Sequence, residues 1–181
     1  ICVRLVGSEM CIRDSRERFD FYHRKEDRIQ FDLEFFNKIT KGGLPNKTLN
    51  IALAGTGVGK SLFMCHVASS VLLQGKNVLY ITLEMAEEKI AERIDANLLN
   101  VNIQNIIDIP KPMFGTKVTN LTRKTQGQLI IKEYPTASAH SGHFKALLNE
   151  LALKKSFKPD IIFVDYLNTV SYTHLRAHET H

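Results

Sequence analysis

The stretch AGTGVGKS, Ala54 to Ser61, restricts what this 181-residue chain can become more than any other part of it. Gly55, Gly57 and Gly59 let the backbone turn tightly and aim successive N–H groups at one point, a geometry that suits a polyphosphate. The apolar run that follows, LFMCHVASSVLL, is that of a buried helix, and its N-terminal end adds a positive dipole to the same place. Lys60 is placed to reach β- and γ-phosphates, and the Ser61 hydroxyl suits a Mg²⁺ ion. The usual spacing is G-x-x-x-x-G-K-[ST], with Ala54 here in the first position. Ala54, Gly55, Thr56, Gly57, Val58, Gly59, Lys60 and Ser61 are therefore the candidate binding residues for ATP or another nucleoside triphosphate with Mg²⁺.

The surrounding pattern supplies a context for that loop. TLNIALAG reads as a strand leading into it, and the helix after it stops at Gly75. NVLYITLEM reads as a second, buried strand. AEEKIAERIDANLL is an amphipathic helix with an acidic first turn and Ile90, Ile94 and Leu98 on one side. Residues 100–127, with Pro110, Pro112 and Gly115, suggest short helices. QLIIKEYP is a third strand, Phe144 to Leu151 marks another helix, and DIIFVDYL is a fourth strand. Strands alternating with helices predict an α/β fold, a largely parallel sheet with helices on both faces.

Composition narrows the class further. Apolar residues are 44% and charged residues 24%, ordinary for a globular domain, and the net charge of +5 is compatible with an acidic partner such as nucleic acid. No run approaches the ~18 apolar residues that a membrane span needs. Cys2, Cys11 and Cys65 form neither a disulfide framework nor a zinc pattern, which suits a reducing, cytoplasmic setting.

A phosphate loop also needs a carboxylate on the metal side and a group to polarise the attacking water. IIFVD supplies the first: four apolar residues and then Asp165. Its plain alternative is a turn aspartate after a buried strand. Glu84, at the end of YITLEM, is the candidate for the second, since strand C-terminal ends face the ligand crevice in open α/β sheets. Glu87 and Glu88 fall in a first helical turn, where a helix-dipole role suffices.

Three segments, GGLPNKTLNIALAGTGVGKS, LYITLEMAEEKIAERIDAN and PDIIFVDYL, resemble in order the RecA-like motor domain of DnaB-type replicative helicases, nearest to the branch found in T-even-type bacteriophages. The resemblance covers about residues 16–168. It implies a RecA-like P-loop NTPase that, as a homo-hexamer, couples NTP hydrolysis to translocation on single-stranded DNA and duplex unwinding, with a primase and a helicase loader as partners. It further implies Lys60 and Ser61 on the nucleotide, Glu84 as catalytic glutamate and Asp165 on the Mg²⁺ side. Residues 16–40 match the family's linker and lead-in, and 41–168 a partial, truncated ATPase domain. The family's sensor strand, DNA-contacting loops and arginine finger follow the Asp165 strand, so the fragment alone is not expected to unwind DNA. If phage-encoded, the protein works in the host cytoplasm.

The two ends of the chain are related to each other. SYTHLRAHE can be written TCT TAT ACA CAT CTC CGA GCC CAC GAG, whose reverse complement translates as LVGSEMCIR, which is Leu5 to Arg13. Residues 1–15 and 169–181 are accordingly read as adapter-derived tails and not native. His174, His178 and His181, at helical i, i+4, i+7 spacing, are then no metal site.

Other residues read more plainly. His140 and His143 suit a loop or capping role, and His66 a packed one. KALLNELALKK suits a solvated helix face with an apolar stripe. Lys111, Lys117, Arg123 and Lys124 could contribute a basic surface, and Arg93 could face a neighbouring subunit. Beside the helicase motor stand two alternatives, a RecA- or RadA-like recombination ATPase and a nucleotide-binding module that does not hydrolyse.

Overall fold

The protein is described by a computed structural model that covers residues 2–5, 8–11, 19, 23, 27–135 and 139–166. His174, His178 and His181 lie outside these residues, as do the whole of 169–181 and most of 12–26. The chain divides into two compact units, 1–30 with 35–50, and 31–34 with 51–181.

In the first unit, β1 (Cys2–Leu5) and β2 (Ser8–Cys11) run antiparallel. A second short antiparallel pair joins β3 (Arg28–Ile29) to β4 (Leu44–Pro45). The helix α1 (Glu34–Ile39) is followed by Thr40, whose hydroxyl donates to Phe36 O at 2.7 Å and accepts the Gly43 N–H at 3.0 Å. The Arg28 guanidinium donates to Thr40 O at 2.8 Å, tying β3 to the turn after the helix.

The second unit carries the sheet. Its elements are α2 (Lys60–Leu73), β5 (Val78–Thr82), α3 (Glu87–Leu99), a 3₁₀ turn at Ile103–Asn105, α4 (Lys111–Lys124), β6 (Leu129–Glu133), α5 (Ser141–Lys155) and β7 (Ile161–Asp165). The three strands are parallel in the order β6-β5-β7. The central strand, VLYIT, is buried at every position, as a run without polar alternation must be when both faces are covered. Leu79 and Ile81 pack with Leu147 and Leu151 of α5, with Phe157, and with Ile130 and Val164 of the flanking strands. The alternate residues face the other way, where Tyr80 meets Cys65 of α2. Behind α2, Ile90 and Ile94 of α3 are fully buried, each stabilising by about 1.5–3 kcal/mol through removal of apolar area from water. The third predicted member of that stripe, Leu98, is only half-buried, and Leu99 takes the buried position instead.

Helix ends follow their local chemistry. The α2 helix stops where Gly75 adopts φ 77°, with Gly75 N–H on Leu72 O at 2.9 Å and Lys76 N–H on Val71 O at 3.3 Å. These two bonds satisfy carbonyls that the helix leaves open, and glycine takes the left-handed turn without a Cβ penalty. At α5, His140 accepts the Gly142 N–H at 3.0 Å and His143 accepts the His140 N–H at 3.4 Å, a reciprocal capping box. Of the short helices expected in residues 100–127, one is the 3₁₀ turn at Ile103–Asn105, and the rest is a single long helix, α4, with prolines only at its start.

One expected element is absent. Residues 48–55 form no strand, and Leu49, Ile51 and Leu53 are 82%, 71% and 94% exposed. A strand exists only where a neighbour takes up its N–H and C=O groups. The outer edges of β6 and β7 are open, but among the described residues 48–55 pairs with neither of them nor with any other strand.

Candidate functional site

The register of the sheet decides where the polar strand ends meet. Thr82 lies between Glu133 and Asp165 in one row across the C-terminal edge. Each of the three apolar runs, VLYIT, LIIKE and IIFVD, ends on a polar residue at that row. The Leu83 N–H continues the ladder onto Asp165 O at 2.8 Å. Glu84, the next residue, is exposed and sits in the bend directly past this edge.

That bend is braced on both sides. The Thr82 hydroxyl donates to Met85 O at 2.8 Å and accepts the Met85 N–H at 3.1 Å. Glu133 and Glu87 exchange bonds: Glu87 N–H donates to Glu133 Oε2 at 3.1 Å, and Glu133 N–H to Glu87 Oε1 at 3.0 Å. Glu87 was expected to serve the helix dipole alone; its carboxylate also ties the start of α3 to the end of β6.

The loop before α2 is a turn of exposed residues, with Val58 N–H on Gly55 O at 3.4 Å. Gly57 and Gly59 take φ 76° and 98°, a region that other L-residues enter at a cost. Gly59 is the N-cap of α2, and no side chain caps that end, so its open N–H groups are available to an anion. Half of the expected context is therefore present, the helix, while the strand before the loop is not formed. Lys60 is half-buried, and its Nζ stands 4.1 Å from the centre of the Tyr166 ring. Because Tyr166 follows Asp165 directly, this contact brings the first residue of α2 to the end of β7. Ser61, the next residue of α2, is half-buried.

Asp165 is 2% exposed, yet its Oδ1 has no hydrogen-bond partner. Its Oδ2 accepts the Tyr80 hydroxyl at 3.2 Å, and the Tyr80 oxygen accepts the Cys65 thiol at 3.9 Å. Burial, with Cys65 and Asp165 alongside, pushes the Tyr80 phenol far up, so it stays a donor. Burial raises the Cys65 thiol as well, in keeping with a small packed residue. An orphaned carboxylate oxygen in so buried a place is costly unless something takes it up. A hard cation such as Mg²⁺, which keeps most of its waters and uses one or two protein oxygens beside substrate phosphates, fits this donor set. Among the described residues no three His, Cys, Asp or Glu side chains gather as a protein-only cage.

The remaining candidates fall elsewhere. His66 is half-buried but bridged, with Nε2 2.8 Å from Asp32 Oδ2 and Nδ1 3.1 Å from Asn97 Oδ1, so the expectation of simple packing is corrected: its ring nitrogens have polar partners. Lys117 donates to Leu99 O at 3.1 Å at the end of α3. Arg93 lines a cleft of about 360 Å³ with Leu62, Ala96 and Asn100. Sequence reasoning missed Tyr80, Thr82 and Glu133. A signal for Tyr80 was present, because a tyrosine inside a fully buried strand needs a partner for its hydroxyl.

A parallel sheet with helices on both faces, a glycine loop opening a helix, and a buried aspartate at a strand end define an α/β domain of the RecA-like phosphate-loop class. The family described as the DnaB-like helicase C terminal domain matches residues 29–181, and the chain belongs to it. The DnaB-like replicative helicase of Enterobacteria phage T4 is 46% identical over 168 residues, covering 91% of this chain and 35% of that protein. The DNA repair protein RadA of Campylobacter jejuni is 27% identical over 132 residues, covering 72% and 28%. The chain thus spans about a third or less of the length of these relatives. No helix among the described residues is long and apolar enough to cross a membrane.

Proposed function

We propose that this chain is the nucleotide-binding part of a replicative DNA helicase motor. In the parent protein, ATP or another NTP is hydrolysed at this site to drive translocation on single-stranded DNA and unwinding of the duplex. The observation that carries the reading is the orphaned Asp165 Oδ1 at the sheet edge that Lys60 approaches through Tyr166. Ala54 to Gly59 would wrap the phosphates with backbone N–H groups, and Lys60 would leave the Tyr166 ring for the β- and γ-phosphates. Ser61 and Asp165 are the side chains that would hold Mg²⁺, which, when bound, neutralises charge developing on the phosphates. Glu84, exposed beyond the braced bend, would accept a proton from the attacking water.

The family match and the T4 relative's description support a helicase; a hexameric ring, single-stranded DNA as track, primase and loader as partners and a cytoplasmic location belong to the proposal by the resemblance in motifs. The second reading, a RecA- or RadA-like recombination ATPase, has the likeness to the DNA repair protein RadA behind it, at lower identity. Residues 1–15 and 169–181 are, on this reading, adapter-derived, and 16–40 the lead-in to the motor.

The test is nucleotide binding by the 181-residue chain, followed with a fluorescent ATP analogue with and without Mg²⁺. Lys60→Ala should weaken binding ~10- to 100-fold, the worth of a charge-assisted phosphate contact of about 1.5–3 kcal/mol. Binding that is indifferent to Lys60 and to Mg²⁺ would overturn the reading.

A further inference from the structure

We propose that Tyr80 is a positioning residue for the metal-binding carboxylate: its hydroxyl engages Asp165 Oδ2 and leaves Oδ1 as the oxygen presented to the ion. The inference rests on the reading of the site as a Mg²⁺–nucleotide site. An aspartate carboxyl rotates broadly about its last torsion, since that torsion has no sharp staggered wells. Something must therefore select which oxygen faces the phosphates. At 3.2 Å from Oδ2, the Tyr80 hydroxyl is the one side-chain partner recorded for this carboxylate among the described residues, and Oδ1 has none.

The direction of the chain of bonds is set by chemistry. An ionised carboxylate only accepts, so Tyr80 must donate to it. The phenol oxygen in turn accepts the Cys65 thiol at 3.9 Å, which leaves its single proton for Asp165. The ring has little room to move, being fully buried and stacked on Phe163 with centroids 5.7 Å apart. Phe163 is the register partner of Tyr80 and lies two residues before Asp165 on the same strand. The strand that carries the carboxylate therefore also holds the ring that orients it. Outer partners of this kind are worth roughly 10- to 100-fold in metal affinity at comparable sites.

The experiment measures the Mg²⁺ concentration that half-saturates the metal-dependent binding of a fluorescent ATP analogue to the 181-residue chain. Tyr80→Phe keeps the ring and its stacking and removes only the hydroxyl. It should need ~10-fold more Mg²⁺, while nucleotide affinity measured without metal serves as the reference for general damage. In the Asp165→Asn background the same substitution should add nothing further, because Tyr80 acts through that carboxylate. A wild-type chain with no Mg²⁺ dependence would sink the site reading and this inference together. Normal wild-type dependence with an unchanged Tyr80→Phe midpoint, with an equal loss in the metal-free reference, or with full additivity in the double variant, would overturn the role of Tyr80 alone.

Discussion

At the residue scale, two carboxylates near the sheet edge have opposite environments and, in the proposed function, different work. Asp165 is buried beneath the Tyr80 hydroxyl, whereas Glu84 is exposed past the end of β5. Glu84→Gln in the parent enzyme should leave nucleotide binding in place and slow turnover by roughly 10²- to 10⁴-fold, the usual worth of a general base. Phosphate release under saturating nucleotide checks it; an unchanged rate would remove Glu84 from the chemistry. Asp95, half-buried on α3, shows the reverse of an ion-paired acid, because burial raises its carboxyl above 3.8. Below that range both folded and unfolded chains hold the proton, and nothing is lost. As pH rises, the unfolded chain ionises first, so the folded state binds more protons and stability falls. Asp95→Asn should therefore match the wild type in melting temperature below about pH 3 and exceed it by about pH 7, as scanning calorimetry at the two pH values would show.

At the element scale, α2 joins the loop to the core, and both of its ends were legible. The glycine loop and Gly75 bracket an apolar run, and the helix occupies Lys60–Leu73 between them. Gly75→Ala should cost about 1 kcal/mol, because φ 77° is left-handed while a Cβ there meets nothing within 4 Å. Chemical denaturation would register it as a lower midpoint with an unchanged slope. Ile90→Ala on α3 should cost more, about 2–5 kcal/mol, since the side chain is fully buried and a cavity would remain. The run before the loop was misread for a definite reason. Alternation of Leu49, Ile51 and Leu53 says that a strand could form there, but not whether the chain lays it against a sheet edge. Residues 100–127 were read as short helices and hold one 3₁₀ turn and one long helix, since proline is tolerated in a helix's first turn and α4 starts at Lys111.

At the scale of the whole molecule, the parallel sheet has three strands among the described residues, and Leu49, Ile51 and Leu53 of the apolar segment 48–55 are exposed. The 181-residue chain is expected to bind Mg²⁺–nucleotide and, tested alone on a forked duplex, to release no strand, while the longer parent does. A fluorescence-quenched fork assay checks both, and strand release by the short chain would refute the assignment of unwinding to the assembled parent. Exposed apolar residues on a domain surface also invite association. Leu53→Lys should accordingly lower light scattering on concentration with little change in melting temperature, the side chain being 94% exposed.

The linear chain by itself determined what depends on neighbours a few residues apart. The glycine loop, the helix it opens, the three strands of the parallel sheet and their polar ends follow from spacing, turn chemistry and apolar runs. That Asp165 would serve the same site as Lys60 was an expectation carried by the motifs and the family resemblance, not by spacing. Only the tertiary structure decided what depends on distant partners. It brought the Tyr80 hydroxyl of one strand onto Asp165 of another, tied Glu87 to Glu133 across 46 positions, and left residues 48–55 without a ladder. A hydrogen bond between remote residues carries no signature in spacing, because the unfolded chain gives neither partner a reason to be near the other. It exists only once β5, β6 and β7 have taken their register.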